Sequence, residues 1–165
     1  MTVEGVDHPV DIVRSARRKK TVQARLRDGR IEMRVPAGMS DREIQHHLAA
    51  LVPRLERQHR AAPVDLIERA ERLARRFDLP RPHTIRWVSN QSSRWGSCTF
   101  DAGAIRISDR LAEVPDFVLD YVVLHELTHL VESDHGPGFR ALMARYRQAD
   151  KAEGYLMALS RHGLV

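Results

Sequence analysis

The stretch Tyr121-Val-Val-Leu-His125-Glu126-Leu-Thr-His129-Leu-Val-Glu-Ser-Asp-His135 decides how this chain is read. On a helix turning about 100° per residue, His125 and His129 lie about 40° apart on one face. Their imidazoles can therefore converge on one tetrahedral ion, and zinc is the metal such spacing suits. Glu126, about 100° round from His125, can reach a water activated by that metal rather than the metal itself. It is the candidate general base of a hydrolase. A chance pattern on a surface helix is the alternative. Against it, Phe117, Val118, Leu119, Val122, Val123, Leu124, Leu127, Leu130 and Val131 make the segment apolar nearly all round, as in a buried helix. Ionisable groups inside such a helix are costly unless paired, and a metal meets that need for the histidines.

A catalytic zinc site takes three protein ligands and keeps one position open. His135 is the expected third ligand. It lies six residues past His129, where Gly136 and Gly138 make a turn of the chain cheap. Glu132 and Asp134 are rivals by proximity, and Glu132 would sit too close along the axis to close a tetrahedron well. Cys98 is a further donor by type, although a free cysteine is usually a small buried hydrophobe.

Outward from this segment, the chain has the composition of an ordinary globular protein. Its 165 residues are 42% hydrophobic and 30% charged, enough to bury a core without disulfides. One cysteine excludes an intrachain disulfide, and the acidic N-terminus (Glu4, Asp7, Asp11) is unlike a signal peptide. The longest apolar stretch, 117–131, is interrupted by Asp120 and the His-Glu motif, so it cannot span a membrane. These features fit a soluble cytoplasmic protein.

Val22, Ala24 and Leu26, then Ile31, Met33 and Val35, alternate with polar residues on either side of Asp28-Gly29. That pattern predicts a β-hairpin, with a further short strand near 10–13. Ser40 with Glu43 predicts a capped helix running to about Leu51 or beyond, with Pro53 as a kink point. Val64, Ile67, Ala70, Leu73, Ala74 and Phe77 form one apolar face of a helix over 63–77. Strands are expected at 84–88, 93–99 and 104–107. The motif helix should run from Pro115 to about Val131, followed by helices from Pro137 and over about 151–160. The order gives an α+β fold. It reads as one domain, 1–165, made of a basic β lobe (1–38), a helical segment (39–79) and a core carrying the metal site (80–165).

The same motifs resemble a known family. His125-Glu-Leu-Thr-His129-Leu, His135 and Phe139 are similar to the YgjP-like metallopeptidases, minimal zincins related to the SprT-type proteases. Gln91-Ser-Ser-Arg94-Trp95-Gly96-Ser97-Cys98 resembles that family's Arg-Trp-Gly-Ser-Cys signature, and Asp120-Tyr-Val-Val its approach to the metal helix. Arg14-Ser-Ala-Arg-Arg-Lys-Lys-Thr-Val with Arg34-Val-Pro resembles its N-terminal β region. The resemblance implies a zincin-like fold, a protein or peptide substrate, His125, His129 and His135 as zinc ligands, and Glu126 as base.

Arg94, Trp95 and Gly96 are the expected substrate-binding residues. Gly96 within a strand suggests close approach of another backbone, and a sheet edge beside the metal would pair with an extended peptide. Trp95 then lines a subsite, or else packs the core against the metal helix. Arg94, Tyr121 and Tyr146 are candidates by type for stabilising the oxyanion. His8, His46, His47, His59, His83 and His162 show no ligand spacing.

One feature lies outside this chemistry. Residues 14–34 hold nine basic side chains against Asp28 and Glu32, a net +7 that leaves −2 for the rest of the chain. Either this is the wet face of a sheet, or Arg14, Arg17, Arg18, Lys19 and Lys20 meet a nucleic acid. One rival to a peptidase is a zinc hydrolase acting on a non-peptide amide; the other is a nucleic-acid-associated module, acting on DNA-bound proteins or holding its metal without catalysis. The oligomeric state is not encoded in any recognisable pattern.

Overall fold

The computed structural model describes residues 8–162, and side chains as far as Ser160. The chain divides into two compact units, Met1–His59 and Arg60–Val165.

The first unit contains strands β1 (Val10–Ser15), β2 (Gln23–Arg27) and β3 (Arg30–Pro36), followed by helix α1 (Asp41–Ala61), which runs on into the second unit. The sheet order is β1-β3-β2, with β1 parallel and β2 antiparallel to β3. Asp28 and Gly29 turn the hairpin with φ of 50° and 70°. Two successive left-handed residues give the twist that matches the flanking strands. Alternation sends Val10, Ile31, Met33 and Val35 inward, where they bury with Ile44, Leu48 and Val52 of α1. Ser40 caps α1 as the sequence suggested. Its backbone N–H donates to Glu43 Oε2 at 2.8 Å, and the Glu43 N–H returns to Ser40 Oγ at 3.4 Å. The helix continues past Pro53 to Ala61.

The second unit holds α2 (Leu66–Phe77), β4 (Thr84–Val88), β5 (Gly96–Thr99), β6 (Ala104–Ser108), a 3₁₀ turn (Asp109–Leu111), α3 (Asp116–Thr128), α4 (Pro137–Met143) and α5 (Ala149–His162). The strands are ordered β4-β6-β5, so β5 is an edge strand, antiparallel to β6. Asp65 caps α2 by accepting from the backbone N–H of Ile67 and Glu68, both at 2.9 Å. Ile67, expected on the apolar face, is 62% exposed; α2 buries the narrower stripe Leu66, Ala70, Leu73, Ala74 and Phe77.

Helix α3 is the hub. It packs on α2, α4, α5, β5 and β6, which explains why it is apolar on every side. Val118, Leu119, Val122, Val123, Leu124 and Leu127 are all buried. Pro115 occupies the N-cap rather than the first helical position, and the helix ends at Thr128, three residues earlier than expected, with His129 as C-cap. Arg69 of α2 fixes one flank of α3, reaching Asp120 at 2.6 Å and Asp116 at 2.7 Å. Among the described residues no helix is long and apolar enough to cross a membrane.

Candidate metal centre

The early end of α3 shapes the site. From Thr128 the chain leaves the helix through 129–136 and re-enters one at Pro137, and this return carries His135 back over the helix end. His125, His129 and His135 then lie together, with one potential ligand atom from each within 4.8 Å of the others. The imidazole centroids are 5.0, 5.0 and 4.8 Å apart. His125 Nε2 and His135 Nε2 face each other at 3.1 Å.

The chemistry of these donors suits a metal. His129 Nδ1 lies 2.9 Å from the Glu132 carbonyl oxygen. A carbonyl only accepts, so Nδ1 carries the proton and Nε2 keeps its lone pair for an ion. Burial, reinforced by the neighbouring His129 and His135, pulls the His125 pKa down to about 4, which keeps that imidazole neutral and ligand-competent at neutral pH. Beneath all three lies the buried ring of Phe139 from α4, at 4.8 Å from His125, 4.7 Å from His129 and 4.6 Å from His135. In the sequence Phe139 belongs to an apolar helical stripe with Leu142, Met143 and Tyr146 and to the family resemblance; its place as a floor under the three imidazoles is a tertiary fact.

The rival donors are occupied elsewhere. Asp134 Oδ1 accepts from the Gly136 N–H at 2.8 Å and so shapes the turn that presents His135. The Glu132 carboxylate lies over Gly138, in space that a side chain there would fill. Its role at the centre comes through its backbone carbonyl. Cys98 is not part of the histidine cluster. Burial and the nearby Glu126 push its thiol up to about 11, so it stands in the cleft wall as a neutral thiol.

Glu126 is 5% exposed. Burial pushes its carboxyl up to about 7, with Arg94 partly opposing the shift. Its neighbour across the cleft is Gly96, on edge strand β5. A Cβ at Gly96 would fall 2.6 Å from Glu126 Oε1 and 2.9 Å from its Cγ. Close approach at Gly96 is thus real, but the approaching group is the Glu126 side chain and not another backbone, because β5 runs alongside α3.

A cavity of about 950 Å³ opens over the histidines and Glu126. Arg94, Trp95 and Gly96 line one side. Trp95 serves both expected ends. It borders the cavity and packs on the core, with the Arg110 guanidinium 4.1 Å from its ring centroid. Arg110 also donates to the Arg94 carbonyl at 3.0 Å, holding this segment in place. Of the tyrosines, Tyr121 lines the cavity and donates to Glu153 Oε1 at 2.6 Å. Tyr146 donates to the Phe117 carbonyl at 2.8 Å, which commits its hydroxyl to packing. The far wall comes from α5, with Glu153, Leu156, Met157 and Ser160. Nothing in the sequence marked these residues, because they reach the site only through the packing of α5 on α3.

The basic segment belongs to the first unit. Arg14 is committed to structure, donating to the Ala37 and Met39 carbonyls and pairing with Asp41 at 2.9 Å. Arg18 donates to Gln23 Oε1 at 2.9 Å. Arg17, Lys19 and Lys20 are exposed.

Comparison with known proteins adds the context. The model of the YgjP-like metallopeptidase domain matches residues 53–153. Among solved structures, the metallopeptidase zymogen jannalysin of Methanocaldococcus jannaschii is similar, with 18% identity and a TM-score of 0.50 over 58% of this chain and 96% of that one. The metallopeptidase zymogen abylysin of Pyrococcus abyssi shares 21% identity, with a TM-score of 0.49 over 55% of this chain and 90% of that one. No curated protein matches. The matched span covers more than half of the sequence and contains all three histidines, Glu126 and the Arg94–Cys98 segment, and the chain belongs to the YgjP-like metallopeptidase family.

Proposed function

We propose that this protein is a zinc-dependent peptidase in which His125, His129 and His135 hold the ion and Glu126 is the general base. The supporting observation is the convergence of three imidazoles at a cavity that is also lined by the buried carboxylate of Glu126, next to His125 on α3. Bound there, zinc would polarise the scissile carbonyl and bring the pKa of a water down to about 7. Glu126, held near the same value by burial, is matched to take a proton from the attacking water and return it to the leaving amine. Arg94 is the Arg or Lys side chain in the cavity wall and is assigned to the oxyanion or to the substrate backbone. Gly96 leaves the Glu126 carboxylate room to work, and Trp95 forms part of the substrate wall. Cys98, the sole cysteine, is unpaired, which suits a reducing cytoplasmic setting.

The test is elemental mass spectrometry of the purified protein beside casein or peptide cleavage. About one zinc per chain in wild type and Glu126→Gln, cleavage reduced by orders of magnitude in Glu126→Gln, and metal loss in His135→Ala are expected. Wild-type protein that carries no transition metal and takes up none on titration would overturn the reading.

A further inference from the structure

The first unit presents a sheet with one face buried on α1 and the other open. Strand register defines the open face. Asp11 lies beside Glu32 and Arg25, and Val13 beside Arg34 and Gln23, with Arg27 opposite Arg30 at the hairpin end. The acids on this face are already neutralised. Arg30 grips Asp11 at 2.7 Å and Arg34 grips Glu32 at 2.7 Å. Arg25 and Arg27 of β2 remain, both exposed and without an acidic partner among the described residues. The connection from β1 to β2 adds Arg17, Lys19 and Lys20 in the same condition. Arg18 folds that loop back onto Gln23, a member of the open face, which sets the loop beside the strand that carries Arg25 and Arg27.

These five cations, two on β2 and three in the adjoining loop, are exposed and are not spent on ion pairs among the described residues. Arg25 and Arg27 stand two residues apart, about 6.8 Å along the strand. Residues 1–59 contain no Phe, Tyr or Trp. The unit therefore lacks the Phe, Tyr and Trp platforms on which unpaired bases commonly stack, and it inserts no such side chain into a bilayer interface. We propose that the open face of β1-β3-β2, through Arg17, Lys19, Lys20, Arg25 and Arg27, docks the phosphate backbone of duplex nucleic acid without reading its sequence. The peptidase reading is independent of this, and either can fail alone.

The test is fluorescence anisotropy of the full chain with a labelled mixed-sequence DNA duplex of about 20 base pairs across a salt series. With five phosphates neutralised, log K against log salt has a slope of about −4.5, an affinity loss of about 500-fold between 50 and 200 mM salt. Replacing Arg25 and Arg27 by Gln leaves three cations, a slope of about −2.7 and a loss of about 40-fold over the same range. Lys19→Gln with Lys20→Gln produces the same change from the loop, and both variants keep wild-type peptide cleavage. No duplex binding at low salt overturns the proposal. So does a slope unmoved in both variants, tighter binding of single strands than of duplex, or binding to anionic phosphatidylserine vesicles but not to the duplex.

Discussion

Replacing Gly96 by alanine asks whether the position of Glu126 sets the rate. The new Cβ would lie 2.6 Å from Glu126 Oε1, 2.9 Å from Cγ and 3.0 Å from Cδ. Ordinary contact begins near 3.4 Å, so the carboxylate has to retreat by about 0.8 Å. Glu126 is buried between α3 and β5, and its retreat is limited by the packing around it. A misplacement of about 1 Å in a catalytic group costs on the order of 10²-fold in rate, equivalent to about 2.7 kcal/mol of barrier. In a quenched-peptide assay Gly96→Ala should therefore lose about 100-fold in kcat while still carrying about one metal per chain. Within a Glu126→Gln background the same substitution should cost little more, because the group it displaces no longer acts. Wild-type kcat in Gly96→Ala would refute the reasoning. So would metal loss in step with activity, which would mean that the glycine keeps the ligands in place rather than the base.

Glu126 should also destabilise the metal-free fold at neutral pH. Its carboxyl is raised from 4.5 to about 7 in the folded state. The folded chain then holds a proton that the unfolded chain has lost, and stability falls as pH rises from about 4.5 to 7. Metal-free Glu126→Gln should exceed wild type by up to about 3 kcal/mol in urea unfolding at pH 8 and match it near pH 4, and equal stability at pH 8 would contradict the burial argument. Phe139→Leu keeps an apolar floor but loses ring contact with the three imidazoles. It should weaken metal affinity by about 10-fold in competition with a chelator, with the fold intact by circular dichroism. Arg69→Ala leaves Asp120, whose side chain is 19% exposed, paired only with the more exposed Arg72 at 3.1 Å. A loss of about 2 kcal/mol in the urea midpoint is expected, and none would show that α2 and α3 are held by apolar packing alone.

What could be read from the sequence was local. The Asp28-Gly29 hairpin, the Ser40–Glu43 cap and the helical spacing of His125 and His129 depend on neighbours within a few residues, and each appears in the structure. His135 was reachable because the glycines beside it permitted a turn, although the Asp134 hydrogen bond that builds this turn was not foreseen. What escaped depends on distant segments meeting. Gly96 carried a recognisable signal, an unusual residue in a strand, but the group it accommodates lies 30 positions away on α3. The α5 wall and the Tyr121–Glu153 hydrogen bond carried no signal at all. Ile67 fitted the apolar period of α2 and still faces solvent, because spacing marks an arc of the helix and packing decides how wide that arc is.

One helix thus meets two conflicting demands. To be the hub of its unit, α3 must be apolar on all sides; to serve the site, it must carry His125 and Glu126 in that same interior. The conflict is resolved by position. His125 and Glu126 stand in the last turn, at the end of the helix that borders the cavity, while Val118, Val123 and Leu124 remain sealed below. The freed segment then supplies what the interior lacks. The Glu132 carbonyl fixes the His129 tautomer, Asp134 sets the turn, and His135 completes the cluster. Beyond Thr128 the backbone tightens rather than breaks: the Leu130 and Val131 N–H groups donate to the Leu127 and Thr128 carbonyls, both at 3.0 Å, before the chain turns back with His135. This tightened turn is therefore as much a part of the histidine cluster as the imidazoles themselves.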